Sequence, residues 1–160
     1  MEGLNGQATG SARPPLAVLF ACGLNSVRSP MAAALFAQVC GRATYVVSAG
    51  VRKGELDPFA VAVMAEIGLD ISGHKPVTLE ELEDWEGLNF DLIVTLAPEA
   101  HHRALELTRV SGVDVEYWPT ADPSAVEGSR TQRLEAYRQL RDHLVARIRQ
   151  RFAVQMTGNE

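Results

Sequence analysis

The sequence predicts a single α/β domain: a four-stranded parallel sheet with helices on both faces and a polar loop directly after the first strand. Two observations carry this. Short apolar runs alternate with stretches of helical spacing, which is the pattern of βαβ units and hence of a parallel sheet covered on both faces. The 160 residues, 46% hydrophobic and 22% charged, suffice for one core and fall short of two.

Leu16-Ala-Val-Leu-Phe-Ala21 is almost wholly apolar, as a strand buried on both faces should be. The loop Cys22-Gly-Leu-Asn-Ser-Val-Arg28-Ser29 follows at once. A helix is expected over Ser29 to Cys40, with Ser29 as N-cap, Pro30 at the first helical position and Gly41 as a left-handed terminator. Ala32, Ala33, Ala34 and Ala37 keep it slim, so it can lie close to a sheet. Thr44 to Ser48 reads as the second strand. A second helix opens at Asp57-Pro58 and ends at Gly68, with Phe59, Val63 and Ile67 in helical spacing.

A short charged helix covers Leu79 to Asp84. Phe90 to Leu96 is the third strand and Pro98 to Leu107 the next helix. Val113 to Tyr117 is a fourth strand, weakened by Asp114 and Glu116. The last helix runs from Ser129 to Phe152 with Leu134, Tyr137, Leu144, Ile148 and Phe152 on one stripe. No repeat or linker interrupts this order, so residues 15–155 read as one domain and the Gly- and Ser-rich residues 1–14 as a loose leader.

A net charge of -5 argues against a surface built for nucleic acid or anionic membrane. Seven arginines between Arg130 and Arg151 concentrate the basic charge on the last helix, as a solvated face would. No apolar run approaches the roughly 20 residues of a membrane span. The two cysteines stand at opposite ends of the first helix, about 16 to 18 Å apart, whereas a disulfide needs Cα atoms within about 7 Å. Two free thiols and no export signal point to a reducing cytoplasm. The sequence carries no signal for oligomeric state.

Ligands of such sheets sit beyond the strands' carboxyl ends, above helix N-termini. The loop after the first strand occupies that place. Its N–H groups can form a nest for an oxyanion, and the following helix adds positive potential. Arg28 lies near enough for the loop to bring its planar fork and Cys22 to one tetrahedral anion. Electropositive surroundings of this kind favour a thiolate, which is the nucleophilic form. Asp122-Pro123 is ambiguous alone, because Asp-Pro also opens turns, as Asp57-Pro58 does in this chain.

Val18 to Cys22, continuing through Arg28-Ser-Pro-Met31, resembles the start of the low-molecular-weight protein-tyrosine phosphatase family, whose fold is shared by thioredoxin-coupled arsenate reductases. The likeness continues through Ser48-Ala-Gly50, Asp57-Pro58, His74-Lys75, Val94-Thr-Leu96 and Asp122-Pro123, and so covers nearly the whole chain from Leu16 onward. It implies that Cys22 is the nucleophile, Arg28 binds the oxyanion and Asp122 is the general acid. Gly23, Leu24, Asn25, Ser26, Val27, Arg28 and Ser29 would hold the substrate. Ser29 would steady the thiolate, and Asn25, Ser29, Ser48 and His74 would support the loop. The implied reaction is hydrolysis of a phosphomonoester, protein phosphotyrosine or a related aryl phosphate, through a phosphocysteine. It needs no cofactor and no metal, and the implied partner is a phosphorylated protein or small phosphomonoester.

Several residues depart from the family pattern. Leu24 stands where the family has Gly, and Val27 where it has a second Cys that could trap an oxidised nucleophile. Gly23, Ser26 and Ser124-Ala125 replace bulky walls, and Arg52 and Lys53 replace an aromatic. Arsenate reduction with an external thiol is the competing reading, since Leu96 to Arg103 lacks the relay cysteines of those reductases. A non-catalytic anion-binding module is the third. Adjacent His101 and His102 read as a surface helix rather than a metal site, and Trp85 and Trp118 as packing residues.

Overall fold

The computed structural model describes residues 17–41 and 43–157. The expected leader and the first two residues of the expected domain lie outside them. Four strands, β1 (Ala17–Cys22), β2 (Tyr45–Gly50), β3 (Leu92–Thr95) and β4 (Asp114–Tyr117), form one sheet in the order β2-β1-β3-β4. Every pairing is parallel, with Ala17 opposite Tyr45, Val18 opposite Leu92 and Leu92 opposite Asp114. The helices are α1 (Arg28–Cys40), α2 (Pro58–Ala65), α3 (Leu79–Glu86), α4 (Pro98–Leu107) and α5 (Arg130–Thr157), with a 3-10 turn at Pro123–Ala125.

Alternation along the strands builds two cores, one on each sheet face. Val18, Phe20, Cys22, Leu92 and Val94 turn towards α1, α2 and α5, while Leu19, Ala21 and Ile93 turn towards α3 and α4. Tyr137, Leu144, Ile148 and Phe152 on the α5 stripe are fully buried. Apolar side chains of this size contribute about 1.5 to 3 kcal/mol each when taken wholly from water. β4 tolerates its charges because Glu116 is paired: Arg151 of α5 meets it at 2.7 Å and the Trp118 indole donates to it at 3.0 Å.

The structure corrects five local expectations. Ser29 is not the N-cap; α1 begins at Arg28, Val27 caps it without a side-chain bond, and Ser29 is drawn into the loop's own hydrogen bonds. Gly41 has the expected positive φ, +88°, but an extended ψ, so it ends α1 without a left-handed turn. Ile67 falls beyond the end of α2 and is 39% exposed; Ala60, Val63 and Met64 bury that helix instead. Trp85 is 66% exposed and packs into neither core, whereas Trp118 is buried edge-on against Phe20. His101 is more than a surface residue: its ring stacks on Tyr117 at 4.7 Å and Nδ1 meets Thr95 Oγ1 at 2.9 Å.

Candidate active site

β1 is the second strand of the sheet, so the chain leaves it at Cys22 flanked by the loops after β2 and β3. Five residues join Cys22 to α1, and neighbouring segments bind their carbonyls one by one. Val51 N–H donates to Cys22 O at 3.1 Å, Arg52 N–H to Gly23 O at 2.9 Å and Gly54 N–H to Leu24 O at 2.9 Å. His74 Nε2 lies 3.2 Å from Asn25 O, Asp57 N–H donates to Ser26 O at 3.1 Å, and Met31 N–H to Val27 O at 3.2 Å. In a planar trans peptide, a carbonyl and the next residue's N–H point in opposite directions. Five carbonyls tied to neighbouring segments, and a sixth, Val27 O, taken by the first turn of α1, therefore turn the N–H groups of residues 23–28 to the other side of the loop. That is the form of an oxyanion nest.

Asn25 is the keystone of this shape. It is fully buried and holds φ at +55°, a left-handed conformation that Asn adopts more readily than most residues. Its Nδ2 donates to Ser29 Oγ and to Ser48 Oγ, each at 2.9 Å. Its Oδ1 accepts from Val77 N–H at 2.9 Å and from His74 Nε2 at 3.1 Å. Both donors and both lone pairs of the amide are thus used. Because His74 Nε2 faces two oxygen acceptors, it carries the ring proton. Burial lowers the pKa of His74, opposed by its bond to Asn25, so the neutral ring is favoured.

Cys22 is a free thiol, 2% exposed, and its Sγ lies 2.9 Å from Ser29 Oγ. With Asn25 donating to the Ser29 oxygen, the hydroxyl proton can be given to the sulfur. Arg28 Nη1 donates to Thr120 O at 2.9 Å, which bridges the loop to the segment after β4. The structure therefore brings Cys22, Asn25, Ser29, Ser48 and His74 into one hydrogen-bonded unit and joins Arg28 to the strand end that leads to Asp122.

Asp122 itself makes no hydrogen bond to the loop among the described residues. Its Oδ1 accepts from Ser124 N–H at 2.9 Å and Ser124 Oγ at 2.7 Å, leaving Oδ2 uncommitted. Asp57 caps its helix the same way, accepting from Phe59 N–H at 2.8 Å. Local geometry does not separate these two Asp-Pro pairs. Their surroundings do: Asp57 Oδ2 is taken by the Tyr137 hydroxyl at 2.6 Å, whereas Asp122 is exposed to solvent.

Three contributors escaped sequence reasoning. Asp57 and Tyr137 hold the Ser26 side of the loop, and only proximity in the fold reveals it. Glu99 covers Gly23: a Cβ on Gly23 would lie 2.8 Å from Glu99 Oε1. Arg52 clasps Glu99 through two bonds of 2.7 and 3.0 Å, and the Arg52 hydrogen bond lowers the pKa of that carboxyl. Lys53 is likewise paired, with Glu81 at 2.8 Å. The two cations after β2 are therefore neutralised rather than open.

A nest of N–H groups, a guanidinium and a sulfur at one strand end can bind a tetrahedral oxyanion and attack it. No helix among the described residues is long and apolar enough to cross a membrane. Residues 17–156 match the family described as low molecular weight phosphotyrosine protein phosphatase. The arsenate reductase of Bacillus subtilis is 32% identical over 134 residues, spanning 83% of this chain and 92% of that protein. The arsenate reductase of Brevibacillus brevis is 35% identical over 133 residues, 82% of this chain and 90% of that protein. Among solved structures, an arsenate reductase in its phosphate-binding state superposes with a TM-score of 0.67 at 29% identity, covering 84% of this chain and 94% of that one. The YwlE arginine phosphatase, in a mutant with a phosphorylated active-site serine, gives 0.66 at 28% identity, covering 84% and 91%. The chain belongs to the low-molecular-weight phosphotyrosine protein phosphatase family.

Proposed function

We propose that this chain hydrolyses phosphomonoesters, protein phosphotyrosine or a related aryl phosphate, through a phosphocysteine on Cys22. The phosphoryl oxygens lie in the nest of N–H groups 23–28 and on Arg28. The Cys22 thiolate attacks phosphorus; the S–P bond forms as the bond to the ester oxygen breaks, and Asp122 protonates that oxygen. Asp122, now a carboxylate, takes a proton from water, which attacks phosphorus and releases phosphate and the thiolate. Ser29 hydrogen-bonds the sulfur when it carries charge. The observation that supports this reading most is the engagement of all six carbonyls from Cys22 to Val27, five by neighbouring segments and the last by the first turn of α1.

Arsenate reduction is favoured by the names of the relatives. Against it stands the cysteine inventory. The chain has two cysteines, and Cys40 ends α1, where burial raises its thiol pKa to about 11. A thiol of that kind is a poor relay partner, so electrons would have to come from an external thiol. The test is a panel of p-nitrophenyl phosphate, phosphotyrosine, and arsenate with thioredoxin, its reductase and NADPH, run on the natural protein and on Cys22→Ser. We expect phosphate release that Cys22→Ser abolishes, and no sustained NADPH consumption. Steady NADPH consumption that needs both arsenate and Cys22, without phosphate release, would replace this reading with the reductase; binding of phosphate without either turnover would leave an anion-binding module.

A further inference from the structure

We propose that Arg130 and Arg133, stacked on Phe59, form a second anion subsite that selects substrates bearing another negative group beside the reacting phosphate. The proposal rests on the phosphatase reading of the Cys22 loop and adds a substrate class to it.

The platform adjoins the loop. Asp57 N–H holds Ser26 O, and two residues on, the Phe59 ring packs edge-on against Tyr137 with centroids 5.4 Å apart. Arg130 and Arg133 place their guanidinium carbons 5.1 and 4.7 Å from the Phe59 centroid. The Asp122 turn packs on the same helix, whose Tyr137 hydroxyl donates to Asp57 at 2.6 Å. Arg133, Phe59 and Asp122 therefore belong to one rim.

The charge on this rim is unanswered. Along the rest of α5, Arg138 meets Glu66, Arg141 meets Glu66 and Asp142, and Arg151 meets Glu116. After β2, Arg52 and Lys53 are taken by Glu99 and Glu81. Arg130 and Arg133 have no carboxylate partner among the described residues; an aromatic ring takes that place. They also stand in the first turn of α5, the end at which a helix dipole disfavours cations. Two guanidiniums on one ring repel each other as well. A bound anion relieves both penalties, and the stacking holds two planar donor forks ready for it. A carboxylate or a second phosphate on the substrate has the required chemistry. A solvated helix face would show no such selectivity.

The test compares kcat/KM within two pairs of substrates: phosphotyrosine peptides with acidic neighbours against the same peptides with neutral neighbours, and an aryl bisphosphate against its monophosphate. Each pair is measured on the natural protein and on the Arg130→Gln/Arg133→Gln double variant, at low and high salt. Two partly exposed ion pairs predict a preference of about two- to thirtyfold for the more anionic member. That ratio should fall towards one in the double variant and at high salt, and the pair that shows it identifies the source of the second anion. A natural protein without the preference, a variant that keeps it, or a variant that loses all substrates equally would overturn the subsite. If the natural protein turns nothing over, calorimetric binding of the same ligands to Cys22→Ser decides. A preference there that the double variant loses upholds the subsite and sinks only the hydrolytic reading; its absence sinks the subsite.

Discussion

The Tyr137 hydroxyl donates to Asp57 Oδ2 at 2.6 Å, across 80 residues of chain, and so ties the terminal helix to the residue whose N–H holds the Ser26 carbonyl. Tyr137 is fully buried, and burial together with Asp57 raises its pKa, so the proton stays on the hydroxyl. Tyr137→Phe keeps the ring and removes this bond alone. Hydrogen bonds to charged groups contribute about 1.5 to 3 kcal/mol, and a loss in that range is expected in urea unfolding. Under the proposed mechanism, kcat/KM should fall as well, although the hydroxyl is not among the groups assigned to the reaction. Unchanged stability and unchanged turnover would remove Tyr137 from the loop's support.

Gly50→Ala should be far worse than its single methyl suggests. Gly50 sits behind the loop, where a Cβ would lie 2.7 Å from Arg52 O, 2.8 Å from Asn25 N and 2.9 Å from Leu24 C. All three are backbone atoms, so none can swing aside. Overpacking of this kind costs about 1 to 3 kcal/mol. Because the displaced atoms include the Asn25 N–H, phosphate affinity should fall more steeply than stability, as phosphate titration and thermal unfolding would show. Gly23→Ala is the contrast. Its obstacle is the movable end of Glu99, and a milder effect is expected.

Asp122→Asn should slow substrates with poor leaving groups much more than those with good ones, since a good leaving group needs little protonation as its bond breaks. Asparagine retains the acceptor that Ser124 uses, so the 3-10 turn should survive. The measurement is kcat/KM across aryl phosphates of graded leaving-group pKa. A uniform loss along the series would count against the general-acid role.

Acid should weaken the fold partly through Glu66. Hydrogen bonds first from Arg138 and then from Arg141 lower its pKa from 4.5 to about 2. A carboxyl whose pKa is depressed on folding contributes stability that is complete above its unfolded value and is lost as pH falls through the folded one. Natural protein should therefore exceed Glu66→Gln in melting temperature at pH 6 to 7, and the gap should close between about pH 4.5 and 2. A gap that persisted at pH 2 would mean that packing, not charge, carries the contribution.

Much of this fold is legible in the residues, because its signals are local. Pro98 opens α4 and the helical spacing runs to Leu107, as expected, and β1 announces itself as an unbroken apolar run. Ser29 misled because the Ser-Pro pair is a common helix start, while nothing local reveals that Asn25 and Cys22 both engage the hydroxyl. Trp85 misled because an aromatic in a short helix usually packs, yet α3 buries Leu79 and Leu82 and turns Trp85 outward. At the site, Cys22 and Arg28 could be read from spacing within one loop. Asp57, Tyr137 and Glu99 could not, since each reaches the loop from a different segment.

The six engaged carbonyls have a consequence for specificity. The loop receives its curvature from backbone N–H groups at Val51, Arg52, Gly54, Asp57 and Met31 and from the half-buried His74 ring, and the side chains at 24, 26 and 27 take no part in those bonds. Grip and taste are set separately. Substitutions at Gly23, Ser26 or Val27 can therefore change what lines the loop while the bonds that curve it stay in place. Under the proposed function, substrate range could shift by single substitutions at these positions without loss of the nest.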